Sequence, residues 1–147
     1  MAVLREWVFG TQHVSLESSD ILWAKVQGTF SEEDVRALVG VFRELGAGPD
    51  RPLYFVVDLR DSGPEGLAVA PRKYLAEHMR PNWFHAVVFF GARRTHRAVL
   101  QALVVALQFV DDTKLEAEFV DTEAQARAWL AAHRRRQEAA GALKGHG

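Results

Sequence analysis

Hydrophobic and polar residues alternate from Gln12 to Glu17, with His13, Ser15 and Glu17 on one side and Val14 and Leu16 on the other. A period of two predicts a strand with one buried face. Ser18 to Asp20 is turn chemistry, and Ile21 to Gly28 reads as a second strand, so the pair is expected to form a hairpin. Before it, Glu6 to Gly10 is expected to pack an aromatic segment on the edge of the core. The period then changes. Val35, Leu38, Val39, Phe42 and Leu45 recur at helical spacing and predict a helix with one apolar face. Ser31 and Asp34 are placed to form an acidic variant of a capping box, Phe30 and Val35 to form a hydrophobic staple, and Gly46, Gly48 and Pro49 to end the helix.

Two later runs, Pro52 to Leu59 and Phe84 to Ala92, are almost continuously apolar. Strands without a polar face are covered on both sides, as in parallel sheets. Leu115 to Asp121 alternates instead, with Glu116 and Glu118 on one face, which predicts a sheet edge with a wet side. Helical patterns occupy the intervals. Pro71 to Arg80 tolerates its proline only in the first turn. Thr95 to Phe109 follows the second apolar strand. Thr122 to Arg136 opens on a Thr122–Gln125 capping box, has a core face of Ala126, Trp129, Leu130 and His133, and ends on arginines that suit the helix dipole. Gln137 to Gly147 is expected to be a disordered tail, which leaves one domain over residues 1–136. The predicted order is β-β-α-β-α-β-α-β-α, a single α/β domain on a mixed sheet of about five strands.

Composition removes several classes of function. A net charge of -1 over 147 residues gives no global attraction to nucleic acid or to an anionic membrane. The absence of cysteine excludes disulfides, thiolate–zinc sites and cysteine nucleophiles. The six histidines lack metal-ligand spacing, so no metal or other cofactor is expected, and His78, His85 and His133 are expected at the boundary or in the core. Arg5, Glu6 and Trp7 interrupt the apolar run a signal peptide needs, so a cytoplasmic location is expected. The arginine- and alanine-rich composition suggests a bacterial source.

Candidate chemistry gathers where the apolar strands end. Side-by-side parallel strands would place Asp58, Asp61 and Ser62 on one rim with Arg93, Arg94, His96 and Asp121. A serine nucleophile needs a base within reach, and Ser62 lacks a G-x-S-x-G elbow. An arginine beside paired aspartates keeps both ionised rather than raising one for acid–base work. The chain is therefore not expected to be an enzyme. A plainer reading makes Ser62 a helix cap, with Glu65 completing its box. Arg93, Arg94 and Arg97 at a helix N-terminus oppose the dipole, so Asp58, Asp61 and Asp121 are expected to neutralise them in an ion-pair network.

Four stretches in order, GTFSEED, VVDLRD, VVFFGARRTHRAVLQAL and EFVDTEAQARAWL, give a chain that resembles the bacterial SpoIIAA-like proteins of the STAS/SEC14-like superfold from Trp7 to His133. The resemblance implies a right-handed βα superhelix with helices over a mixed sheet. It also implies a non-enzymatic module that binds a protein partner. In STAS antagonists of anti-sigma factors a serine in a DSSG-like motif is the phosphorylation switch, and Asp61-Ser62-Gly63 is similar. Here the motif is contiguous with the strand and the second serine is missing. A sheet wound in one direction lacks the switch-point crevice of doubly wound folds, so no ready-made cleft is expected at its centre.

The helix after the second apolar strand is greasier than a surface helix needs. Arg94, Arg97, Gln101 and Gln108 form one narrow stripe, Val104 and Val105 lie beside it, and the rest of Ala98 to Val110 is mostly apolar. An apolar arc of roughly 100° suffices for a surface helix. At about 20 Å the segment is too short to cross a bilayer. Three explanations stand: burial by neighbouring elements; an interface through Gln101, Val104, Val105 and Gln108 with a protein partner or a second copy; or, as the SEC14-like kinship implies, the wall of a pocket for a small apolar molecule.

Overall fold

The computed structural model describes residues 3–67, 69–108 and 115–144, and in it the predicted hairpin gains a third strand. Strand β1 (Val3–Phe9) pairs antiparallel with β2 (Gln12–Glu17), which pairs antiparallel with β3 (Ile21–Phe30). The sheet therefore has six strands rather than about five. A register shift between Val3 and Arg5 and the exposure of Val3, Leu4 and Val8 break the alternation that would have announced β1. Trp7 and Phe9 still pack on the core, and Trp7 Nε1 donates to Glu44 Oε2 at 3.1 Å.

From β3 onward every pairing is parallel, through β4 (Leu53–Leu67), β5 (Phe84–Phe90) and β6 (Ala117–Val120). The spatial order equals the sequence order, β1 to β6. Successive crossovers that step one way, in the single hand such connections take, lay their helices on one face of the sheet. These are α1 (Glu32–Glu44), α2 (Val69–His78) and α3 (Arg94–Gln108). The larger core lies beneath them, with Phe55, Val57, Val87 and Phe89 facing Val35, Phe42, Leu75 and Leu107. Helix α4 (Glu123–Lys144) covers the opposite face, where Ala126 and Leu130 meet Tyr54, Val56, Ala86, Val88 and Phe90. Alternate residues of β4 and β5 thus feed two cores, which explains why neither strand has a polar face.

The local signals act as read. Ser31 and Asp34 form a reciprocal capping box at α1, with Phe30 and Val35 both buried. At its other end Gly46 takes φ 72°, and the amides of Gly46 and Ala47 donate to Arg43 and Phe42 carbonyls, each at 3.0 Å, in a Schellman arrangement. Thr122 and Gln125 close a second box at α4. That helix runs on to Lys144 where a disordered tail from Gln137 was expected. Residues 135–141 are exposed, so intrinsic preference rather than packing continues it: apart from Gly141 they are Arg, Gln, Glu and Ala, all good helix formers.

Candidate functional site

The end of β4 decides how the rim is arranged. Lys25 of β3 is opposite Asp58, but Gln27 is opposite Asp61, so β4 carries one extra residue between these pairs. Such a bulge turns the following side chains to the other face. Asp58 therefore lies on the α4 side of the sheet and Ser62 on the α1–α3 side. The expected single rim is split.

Asp58 is buried at 6% exposure. Its Oδ1 accepts from the Arg60 amide at 3.1 Å and from Arg60 Nε at 3.0 Å, while Oδ2 accepts from Arg60 Nη2 at 2.8 Å. Burial opposes ionisation, but the Arg60 hydrogen bonds and charge outweigh it and hold the carboxyl below its ordinary value. The guanidinium rests on the Phe90 ring at 5.1 Å and approaches Glu123 at 3.9 Å. Gly91, at φ 73°, leaves room for it: a Cβ there would lie 2.5 Å from Arg60 Cγ. Both carboxylate oxygens of Asp58 are thus engaged within the corner. Asp61 is exposed and reaches Lys25 Nζ at 3.8 Å.

Ser62 and His96 do meet. Ser62 is 5% exposed and His96 8% exposed, and Ser62 Oγ lies 3.3 Å from His96 Nδ1. The expected helix cap at Ser62 does not form, because β4 continues past it and Ser62 pairs with Gly28 of β3. Its hydroxyl donates to the Leu59 carbonyl at 2.8 Å. A hydroxyl has one proton, so the contact with His96 has the ring Nδ1–H donating to Oγ. A base poised to activate Ser62 would need the opposite direction.

Arg93 and Arg94 are exposed and form no ion pair among the described residues. The expected network shrinks to Arg97 with Asp121 at 3.8 Å, because Asp58 is taken by Arg60 and Asp61 lies near Lys25.

Ser62 and His96 close one end of a cavity of about 110 Å³ between the sheet and α3, otherwise lined by apolar side chains such as Val57, Val87, Phe89, Leu103 and Val104. It is not the switch-point crevice of doubly wound folds. The cavity lies on the helix-covered face rather than beyond the strand ends, because α3 does not close fully on the strands. Leu100, Leu103 and Val104 remain half-exposed although they line it. Val104 accordingly belongs to the cavity wall and not to the outward stripe. Gln101 and Val105 point outward, Val105 at 53% exposure, and the Gln108 side chain lies outside the described residues.

A second polar cluster sits on the α4 face near the start of β4. Tyr54 Oη lies 2.9 Å from His133 Nδ1, and His133 Nε2 lies 3.1 Å from Glu116 Oε2. A carboxylate only accepts, so Nε2–H donates to Glu116, and Nδ1 is left to pair with the Tyr54 hydroxyl. His85 stacks on Tyr54 with ring centroids 4.7 Å apart, and Arg134, bound to Asp20 at 2.9 Å, lies over the same ring. Burial raises the Tyr54 phenol and lowers His85 from their ordinary values. The helical pattern placed His133 on the core face. Nothing in it tied His133 to Tyr54, 79 residues away.

Comparison with known families matches residues 21–131 to the SpoIIAA-like family. The chain belongs to the SpoIIAA-like family. The match runs from the start of β3 into α4, so it takes in every parallel pairing and leaves β1 and β2 outside. No curated protein matches this SpoIIAA-like chain. SpoIIAA-like (STAS) domains are usually regulatory or interaction modules and are generally non-enzymatic. No helix among the described residues is long and apolar enough to cross a membrane.

Proposed function

We propose that this chain is a non-enzymatic regulatory module of the bacterial cytoplasm that acts by binding a protein partner. The observation that carries the reading is the outward face of α3. Ala98, Gln101, Ala102, Val105 and Ala106 are all exposed on it, and Val105 is a large hydrophobic residue at 53% exposure. Small and apolar side chains without a charge are a poor choice for a purely solvated face and a good one for a closely approaching surface. A second copy of the chain is the simplest partner. Light scattering of wild type and Val105→Glu tests self-association. Partner capture with the same pair tests a different protein. Loss of either complex in Val105→Glu, with thermal stability unchanged, is expected. Equal behaviour of the two proteins in both assays rejects the surface.

The cavity beneath the same helix favours a second reading, a sensor or carrier of a small apolar ligand. Its lining is apolar apart from Ser62 and His96, and one wall is the helix proposed as the contact surface. Native mass spectrometry of freshly purified protein would show a retained ligand as added mass. Titration with toluene, followed through the methyl resonances of Val87 and Leu103, tests the cavity directly.

A further inference from the structure

The free edge of the sheet carries the largest group of exposed apolar side chains. We propose that β1 is a docking edge and that its occupant is β1 of a second copy, paired antiparallel about a two-fold axis at Trp7 so that two sheets become one. The contact is separate from the α3 surface: β1 ends the sheet on the side opposite β5 and β6, the strands that α3 connects.

The backbone comes first. Among the described residues β1 has a strand neighbour on one side only, so its other side presents unpaired amide and carbonyl groups. Sheets blunt such edges with short strands, lysine, proline or a covering element. The opposite edge strand, β6, has four residues. β1 has seven, contains no lysine or proline, and leaves five of them exposed. The large hydrophobic side chains exposed among the described residues are Val105 on α3 and three on β1: Val3 at 49%, Leu4 at 56% and Val8 at 63%. An edge of this kind takes an extended strand.

Charge then selects the strand. Glu6 and Val8 pair with Ser15 and His13 and share their face, while Arg5, Trp7 and Phe9 pair with the buried Leu16, Val14 and Gln12. Partners across an antiparallel pair share a face and neighbours along a strand do not, so a two-fold axis passes between two copies of the same residue. An axis at Arg5 or Glu6 sets like charges opposite one another, which is destabilising. An axis at Leu4 or Val8 pairs only three residues of the strand. An axis at Trp7 pairs five, Arg5 to Phe9, and the register shift of β1 lies before this span. Trp7 then meets Trp7, Arg5 meets the Phe9 ring, Glu6 meets Val8, and no like charges are directly opposed. The order of residues in β1 therefore fits β1 itself.

Glu6→Cys and Val8→Cys test the register on the full chain. The chain has no cysteine of its own, both positions are exposed, and directly opposed residues lie within disulfide reach. The two variants are purified reduced, mixed, oxidised and read by mass spectrometry, which separates the mixed disulfide from the two symmetric ones. The mixed product is expected well above its statistical share, because position 6 of one copy faces position 8 of the other. A statistical mixture, or no disulfide-linked dimer, overturns the pairing. Five paired residues are few beside the roughly 1,200–2,000 Å² of a standard interface, so association of the wild type is expected to grow with concentration. Light scattering over a concentration series should show that growth in wild type and in Val105→Glu, and not in Val8→Lys, with thermal stability unchanged in both variants. A dimer lost in Val105→Glu but kept in Val8→Lys overturns this proposal and leaves the α3 surface standing. A wild type that stays monomeric throughout the series overturns it whatever α3 binds.

Discussion

Replacing Arg60 by methionine removes the guanidinium from Asp58 while leaving an unbranched apolar side chain against Phe90. Asp58 would stay buried, at 6% exposure in the wild type, with the amide of residue 60 at 3.1 Å as its remaining direct donor. Breaking a fully buried ion pair costs roughly 3–5 kcal/mol. The Arg60 side chain is 53% exposed, so water replaces part of what is lost. The expected cost at neutral pH is about 1.5–3 kcal/mol, the range for hydrogen bonds to a charged group. A loss of about 2 kcal/mol lowers the melting temperature of a domain of this size by roughly 4–8 °C. The pH dependence is the sharper test. In the wild type the folded carboxyl lies below its ordinary value, so its contribution is full above the unfolded value of about 3.9 and is lost as pH falls through the folded one. In the variant the largest influence on Asp58, burial, is opposed mainly by one backbone hydrogen bond and by Lys25. The folded value then rises above the unfolded one, the ionised form destabilises at neutral pH, and protonation relieves it as pH falls. Wild type and variant should therefore differ most at pH 7 and converge below about pH 4. Urea unfolding followed by tryptophan fluorescence at pH 7, 5 and 3.5 measures this. A difference that does not change with pH, or none at pH 7, would refute the reasoning.

Tyr54→Phe leaves His133 Nδ1 without its 2.9 Å partner and should cost about 1–3 kcal/mol, and the double variant Tyr54→Phe/His133→Leu should cost clearly less than the two singles added; additivity in urea unfolding would show that the pair is not coupled. Ser31→Ala removes the hydroxyl that accepts from the Asp34 amide at 3.1 Å and should cost about 1 kcal/mol, with faster amide exchange confined to the first turn of α1. Gly91→Ala combines a φ of 73° with a Cβ 2.5 Å from Arg60 Cγ, so it should lower stability by about 1–3 kcal/mol; a melting temperature equal to wild type would mean that the corner adapts freely.

Features encoded in neighbouring residues were legible without coordinates. The α1 cap, staple and stop are set by residues within a few positions of one another, and local hydrogen bonds form them in any compact arrangement. The continuous apolar runs of β4 and β5 announced burial on both faces, and hence parallel strands under helices, because a strand with no polar side has no way to face water. The residues of the candidate site were named, but the single rim expected to hold them is split. One extra residue in β4 sends Asp58 and Ser62 to opposite faces, and no pattern of polarity marks a bulge whose cause is its pairing with β3. The Ser62–His96 contact, the Tyr54–His133–Glu116 cluster and the cavity join positions tens of residues apart. Whether α3 closes on the sheet or leaves a space depends on how side chains from several elements fill a shared volume. Local spacing carries no information about that volume, so packing in three dimensions decided it.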